Sequence, residues 1–332
     1  MAKQPFSFWS GGVLRVSFSG HTWIFPKRGL AMSLLDWLKV LVLGIVEGIT
    51  EWLPISSTGH MILVDNLWVT KNSVMTEEFM EMFTVVIQLG AILAVVVLYF
   101  KKLWPFHTKR LPPRRSWFAE HSSNKAIGGV QNFCDNYCWM DKIVMWLKIA
   151  VSCLPAIIIG LPLDDWMDEH LYTPVVVALM LILYGVAFLF IERFNKRRKP
   201  RINTLAELTW KDAALIGVFQ VLSLVPGTSR SGATILGGIL IGASRGVAAE
   251  YTFFLAIPVM FGASLLKIVK FGFGFTGTQL GVLLLGMAVA FVVSVIAIKF
   301  LIGYIKKHDF SAFGWYRIAL GAIVLIYAIF AS

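Results

Sequence analysis

The chain has 332 residues, of which 57% are hydrophobic and only 15% charged, with a formal net charge of +11 and a mean hydropathy of +0.74. That balance excludes an ordinary soluble domain and makes lipid the solvent for most of the sequence. Backbone amides in lipid must be satisfied within the chain, and the apolar runs are too long and uniform for the alternation of a membrane barrel. The expected fold class is therefore an all-α polytopic membrane protein.

Residues 1–31 carry Lys3, Arg15, Lys27 and Arg28, no acid, and no apolar core long enough for a signal peptide. They read as an N-terminal extension that need not be native. Met32 is an alternative start, and without the four cations the charge falls from +11 to +7. A single membrane domain is expected over 32–332. Apolar runs follow near 34–50, 52–64, 83–100, 143–161, 174–191, 212–226, 233–243, 251–268, 279–303 and 315–331. Several match the roughly 20 residues that a bilayer requires. Four are short: 34–50 and 52–64 are joined by a polar stretch, and 212–226 and 233–243 are joined by PGTSRSG. Such Pro/Gly-interrupted segments read as broken or re-entrant helices, which survive at membrane depth only inside protein or beside a wet cavity. Cys134, Cys138 and Cys153 make no disulfide framework, and a lone C-x3-C is weak support for zinc.

Charge orients the bundle. The connection 101–142 holds Lys101, Lys102, Lys109, Arg110, Arg114, Arg115, Lys125 and Lys142, and 193–211 holds Arg193, Lys196, Arg197, Arg198, Lys199, Arg201 and Lys211; both are expected in the cytoplasm. Connection 162–173, with Asp164, Asp165, Asp168 and Glu169, and connection 65–82, with Lys71 against four acids, are expected outside.

GIVEGITEWLPISSTG (44–59) aligns with GVFQVLSLVPGTSRSG (217–232). Gly44 meets Gly217, Glu47 meets Gln220, Thr50 meets Ser223, Ser56 meets Ser229, Thr58 meets Ser231 and Gly59 meets Gly232. The reading is two repeats, about 32–161 and 174–332. The flanking charges send the first broken pair in from outside and the second in from the cytoplasm, so the repeats are inverted and their polar groups should converge.

Glu47 and Glu51 lie four apart on one helix face, where like charges require a divalent cation, a shared proton or an arginine. Pro54 breaks that helix, and Ser56, Ser57, Thr58 and Gly59 stand at the next helix start, where hydroxyls and free amides cradle anions. His60 adds a proton carrier. The second motif, PGTSRSGAT (226–234), offers Gly227, Thr228, Ser229, Ser231, Thr234 and the bidentate Arg230. The combined set fits phosphoryl transfer or phosphate ester or anhydride hydrolysis. Plain packing or hydrogen bonding suffices for Thr50 and Ser223, Gln88 and Gln220 read as structural hydrogen-bonders, and a lone His60 is more often a satisfied buried histidine than a catalyst. Glu47, Glu51 and Arg230 as a purely structural ion-pair network is disfavoured, because buried pairs stabilise poorly.

The pair E-G-x-T-E-x-x-P-x-S-S-T-G-H (47–60) and P-G-x-S-R-S-G-A-T (226–234) closely resembles the bacterial undecaprenyl-diphosphate phosphatase family, also called the bacitracin-resistance protein family. The resemblance runs from Met32 to the C-terminus. It implies hydrolysis of undecaprenyl diphosphate to the monophosphate, recycling the lipid carrier for peptidoglycan synthesis, with bacitracin resistance as a secondary effect. It also implies interlocked inverted repeats, dependence on a divalent cation (Mg2+ or Ca2+) and a site opening to the outer face of the bacterial cytoplasmic membrane. Glu47, Glu51, Ser56, Ser57 and His60 carry over from the first motif, and Ser229, Arg230, Ser231 and Thr234 from the second. The extension and the long connection 101–142 depart from the family pattern.

In the resulting scheme Glu51, with Glu47, takes the metal. Arg230 grips the diphosphate together with Ser56, Thr58, Gly227, Ser229, Ser231 and Thr234. Ser57 is the preferred nucleophile with His60 as proton partner, while His60 itself or water stay open as nucleophiles. Expected partners are the polyprenyl diphosphate lipid and the bilayer, with a homodimer left open and no nucleic acid. The competing reading is a lipid-phosphate transporter or flippase using the same anion cradle.

Overall fold

In the computed structural model the described residues are 7–10, 13–18, 21–26, 32–67, 74–107, 128–196 and 198–331. Lys71, the basic stretch Lys109 to Lys125, Arg197, and the side chains of Asp164, Asp165 and Asp168 lie outside what is described. The extension contributes a three-stranded antiparallel sheet, β1 (Ser7–Ser10), β2 (Val13–Phe18) and β3 (His21–Pro26), in sequence order.

Among the described residues from Leu34 onward, the regular elements are helices. The helices are α1 (Leu34–Thr50), α2 (Ser57–Leu67), α3 (Glu77–Val86), α4 (Gln88–Leu98), α5 (Phe100–Leu103), α6 (Gly128–Tyr137), α7 (Met140–Leu171), α8 (Pro174–Asn195), α9 (Trp210–Val221), α10 (Arg230–Leu240), α11 (Arg245–Phe271), α12 (Gly277–Ile305) and α13 (Ser311–Ala331). Among the described residues, six segments are long and apolar enough to cross a membrane: Glu77–Leu98, Met140–Gly160, Pro174–Asn195, Arg245–Phe271, Gly277–Ile305 and Ser311–Phe330. The chain is thus a multi-pass membrane protein.

The two interrupted pairs, α1/α2 and α9/α10, are too short to span. Both entry helices start from a capping box: Ser33 with Asp36 for α1, Thr209 with Asp212 for α9. Such a box satisfies two amides that the first turn leaves orphaned. The end of α10 returns to the start of α9, because Arg201 and Ile202 both donate backbone N–H to the Gly242 carbonyl and Ser244 N–H donates to the Ile202 carbonyl. Each entry helix packs closely on a long helix from the opposite half of the sequence. A Cβ on Gly44 would stand 3.0 Å from the Gly286 carbonyl of α12, and one on Gly217 2.4 Å from the Ser152 carbonyl of α7.

One sequence expectation is refined. Connection 162–173 is helical as far as Leu171, because α7 runs unbroken for 32 residues through Pro155 and Pro162. At 1.5 Å per residue that is about 48 Å, well beyond a hydrocarbon core of about 30 Å, so the acidic end projects past the bilayer as helix. A proline removes one helical bond without forcing the chain out of the helix when neighbours hold it. Trp166 and His170, one turn apart, stack with ring centroids 5.0 Å apart and His170 Nδ1 bonds the Trp166 carbonyl, reinforcing the projecting turn. The three cysteines are free.

Candidate active site

Helix α1 ends at Thr50, and Glu51 to Ile55 form turns before α2 begins at Ser57. On the other side α9 gives way to a short 3-10 turn, Leu222–Leu224, then to the loop before α10. Ser56 and Ser229, aligned in the repeat, take the same left-handed backbone, φ 72° and 70°. Each immediately precedes the first helical residue of the returning helix. After each sharp reversal a new helix starts, and helix N-termini favour an anion.

The motifs meet. Arg230 donates from Nη2 and Nε to Glu51 Oε1 at 2.9 and 3.2 Å, and from Nη1 to the Thr252 carbonyl at 3.1 Å. Both side chains are about nine-tenths buried, at 11% and 8% exposure. Trp52 stacks edge-on against Phe253 and lies beneath the guanidinium, 5.9 Å from Cζ to ring centroid. Ser231 Oγ donates to the Leu53 carbonyl at 3.4 Å. Glu47, one turn before Glu51 and 1% exposed, has its Oε1 buried without a hydrogen-bond partner among the described residues. Ser56 Oγ, Thr228 Oγ1 and Trp52 Nε1 are likewise buried and unpartnered. Buried polar atoms left unmade cost about 1–3 kcal/mol each, and their concentration at one junction marks a place that a polar ligand completes.

Not every expected residue faces that junction. Thr234 Oγ1 donates to the Arg230 carbonyl and accepts from Thr252 Oγ1, so it holds the arginine's own backbone in place. Gly227 shapes the turn: its φ is +89°, and a Cβ there would stand 2.6 Å from the Val177 carbonyl. Ser229 Oγ caps α10 at Gly232 N–H. Ser57 and Thr58 are half-buried at the first turn of α2. His60 is not bonded to Ser57. Its Nδ1 meets the Ser56 carbonyl at 2.7 Å and its Nε2 the Tyr316 hydroxyl at 2.7 Å, with the two rings stacked. A carbonyl only accepts, so Nδ1 carries a proton, and when the ring is neutral Nε2 presents its lone pair to the Tyr316 hydroxyl.

Gln220 departs from expectation. The aligned counterpart of Glu47 is 1% exposed with both amide atoms unpartnered. Thr50 and Ser223 do bond backbone carbonyls, at Val46 and Gln220.

Sequence reasoning missed Arg317. Wholly buried on α13, it donates from Nη1 to the Pro54 carbonyl at 3.3 Å and from Nη2 to the Gly227 and Thr228 carbonyls at 2.8 and 2.9 Å, tying both motif loops to one guanidinium. Its only sequence signal is an arginine inside an apolar run, which reads as a snorkelling interfacial residue.

The site fits a divalent cation. Arg230 engages Glu51 through Oε1, and Glu47 Oε1 has no hydrogen-bond partner among the described residues. Two carboxylates joined by substrate phosphates make a Mg2+-type ligand set. Among the described residues no three or more His, Cys, Asp or Glu gather into a closed metal site, so substrate oxygens would complete the shell.

A helical bundle with six membrane-length helices among the described residues, and a buried arginine-carboxylate centre where two interrupted helix pairs meet, defines a membrane protein of the lipid-phosphatase class. The model of the family described as Bacitracin resistance protein BacA matches residues 40–323, and the chain belongs to that family. Among its relatives, an undecaprenyl-diphosphatase from Enterococcus faecalis is 56% identical over 90% of this chain and 99% of the relative. Undecaprenyl-diphosphatases from Desulfitobacterium hafniense and Acetivibrio thermocellus are 57% and 55% identical, each over 89% of this chain.

Proposed function

We propose that the protein hydrolyses undecaprenyl diphosphate to undecaprenyl phosphate and inorganic phosphate, returning the lipid carrier to cell-wall synthesis and thereby supporting bacitracin resistance. The observation that carries this reading is the Arg230–Glu51 pair beside the orphaned Glu47 carboxylate, at the junction of two helix starts. Relatives more than half identical and bearing that name support it.

Arg230, always charged and forked, takes the diphosphate oxygens, helped by the amides at the starts of α2 and α10. Glu47 and Glu51 would hold Mg2+ or Ca2+, whose chemistry is to neutralise charge on the phosphoryl oxygens. Ser57 Oγ attacks the terminal phosphorus, and its proton passes to His60 Nε2 once Tyr316 yields that position. The Oγ–P bond forms while the bond from terminal phosphorus to bridging oxygen breaks, and that oxygen leaves with the lipid monophosphate. Water then hydrolyses the phosphoserine to release phosphate and free Ser57. The isoprenoid tail runs between helices into the bilayer.

The architecture behind this is two interlocked inverted repeats in the cytoplasmic membrane, with the site opening toward the outer face. The paired left-handed serines, the return of α10 to the start of α9, and the reciprocal packing of Gly44 and Gly217 all support it.

One experiment tests chemistry and nucleophile together. Purified protein in detergent, given a polyprenyl diphosphate and Mg2+ or Ca2+, is expected to release inorganic phosphate, while Glu51→Ala and Arg230→Ala release at least about a hundredfold less. Acid quench of a single turnover should leave labelled phosphate on Ser57. Absence of acid-stable phosphoserine moves the attack to His60 or water, and absence of release by the parent protein would favour lipid-phosphate transport over hydrolysis.

A further inference from the structure

A second place in the molecule gathers charge away from the hydrolytic junction. A cavity of about 1250 Å3 opens among the basic connections, between the start of α7, the ends of α8 and α12, and the start of α11. Eight cations line it against the acids Asp141 and Glu250. Three of the eight are neutralised: Lys102 by Glu250, Arg245 by the fully buried Glu192, and Lys196 by Asp309. The other five, Lys101, Lys142, Lys148, Arg198 and Lys306, form no ion pair with a carboxylate among the described residues, though Lys148 lies within the field of Asp212; Lys142 and Lys148 donate to backbone carbonyls, and Arg198 lies over the Phe194 ring.

Cations on a cytoplasmic loop face commonly point into water. Here they converge on one concavity whose remaining wall includes Val144, Met145, Ile302 and Ile305. The start of α11, capped by Ser244 and opened by Gly246, which has nothing within 4 Å of a Cβ position, adds amide donors to the same wall.

We propose that this cavity binds the phosphate group of an anionic amphiphile, as a second phosphate site distinct from the hydrolytic one. Unneutralised cations and helix amides recognise phosphate, and the adjoining apolar wall receives the first carbons of a lipid. The two sites are neighbours through the protein. Arg245 on the cavity rim and Thr252, whose carbonyl Arg230 holds, are seven residues apart on α11, about 10 Å at the helical rise. Between them stands an aromatic wall in which Tyr99, itself lining the cavity, packs on Phe253 and Phe254, and Phe253 packs on Trp52 beneath Arg230. The inference goes beyond hydrolysis and does not depend on it, because its readout is retention of lipid.

Full-length protein in detergent is titrated with phosphatidic acid and with phosphatidylcholine of the same chains, and bound lipid is counted by native mass spectrometry. The parent protein should retain phosphatidic acid at least about tenfold better than phosphatidylcholine, and the triple variant Lys101→Gln, Arg198→Gln, Lys306→Gln should lose that preference. Arg230→Ala should keep it. Displacement by millimolar orthophosphate assigns the site to free phosphate, and resistance to displacement assigns it to a lipid headgroup. An unchanged preference in the triple variant, or its loss in Arg230→Ala, overturns the proposal; an unshifted melting temperature shows that the triple variant folds.

Discussion

Ser56 shows how one residue can carry two separable duties. Its backbone is left-handed, which costs a residue with a Cβ about 1–2 kcal/mol, and its hydroxyl is buried without a partner. Ser56→Gly removes the strain and the hydroxyl together. The expected outcome is a melting temperature equal to or above that of the parent, with phosphate release clearly reduced; unreduced release would show the hydroxyl to be idle. Arg317 is the opposite case, a group that acts through others. Arg317→Lys keeps the charge but replaces a fork reaching three carbonyls by a single ammonium. The loops carrying Ser57 and Arg230 would then lose register, and kcat is expected to fall at least about tenfold with KM changed less, since misplacement by an ångström is enough. An unchanged kcat would mean that the loops position themselves. The contrast explains what was legible in the sequence. Glu47, Glu51 and Arg230 stand out because a charge beside a Pro/Gly break in an oily run has few structural explanations, whereas Arg317 sits in an unbroken helix and its partners are carbonyls, which no residue type announces.

At the scale of elements, the broken helices were legible from their interruptions, and their starts and stops follow from Ser33, Thr209, Ser56 and Ser229. The extent of α7 was not, because Pro162 and a cluster of acids imitate a loop, and only tertiary placement shows a helix leaving the bilayer. Nor could composition reveal how closely α9 approaches α7. A Cβ on Gly217 would lie 2.4 Å from the Ser152 carbonyl, a backbone atom of a helix that cannot turn aside. Gly217→Ala must therefore push α9 outward, and overpacking of this kind costs about 1–3 kcal/mol. Scanning fluorimetry in detergent should show a lowered melting temperature for Gly217→Ala and no change for Gly246→Ala, where nothing stands within 4 Å. Equal behaviour of the two would place α9 less tightly than the structure does.

For the whole molecule, the proposed orientation follows from charge and geometry together. Helix α12 runs 29 residues, about 43 Å at the helical rise, so the connector 272–276 before it and 306–310 after it must lie on opposite faces. At the first end, the Gln279 side chain donates to the Val74 carbonyl, placing that end beside the connection between α2 and α3. At the other end Lys196 pairs with Asp309, and Glu192 accepts from Phe310 N–H and from Arg245, joining 306–310 to the basic face that carries 198–209. Positive charge resists translocation, so the proposed orientation puts this second face in the cytoplasm. In a background with Cys134, Cys138 and Cys153 replaced by serine, Gly274→Cys should react with a membrane-impermeant maleimide in intact spheroplasts, and Lys307→Cys only in inverted vesicles. The reverse pattern would turn the hydrolytic junction toward the cytoplasm and move the basic cavity outside. Labelling of both from one side would contradict α12 as a spanning helix.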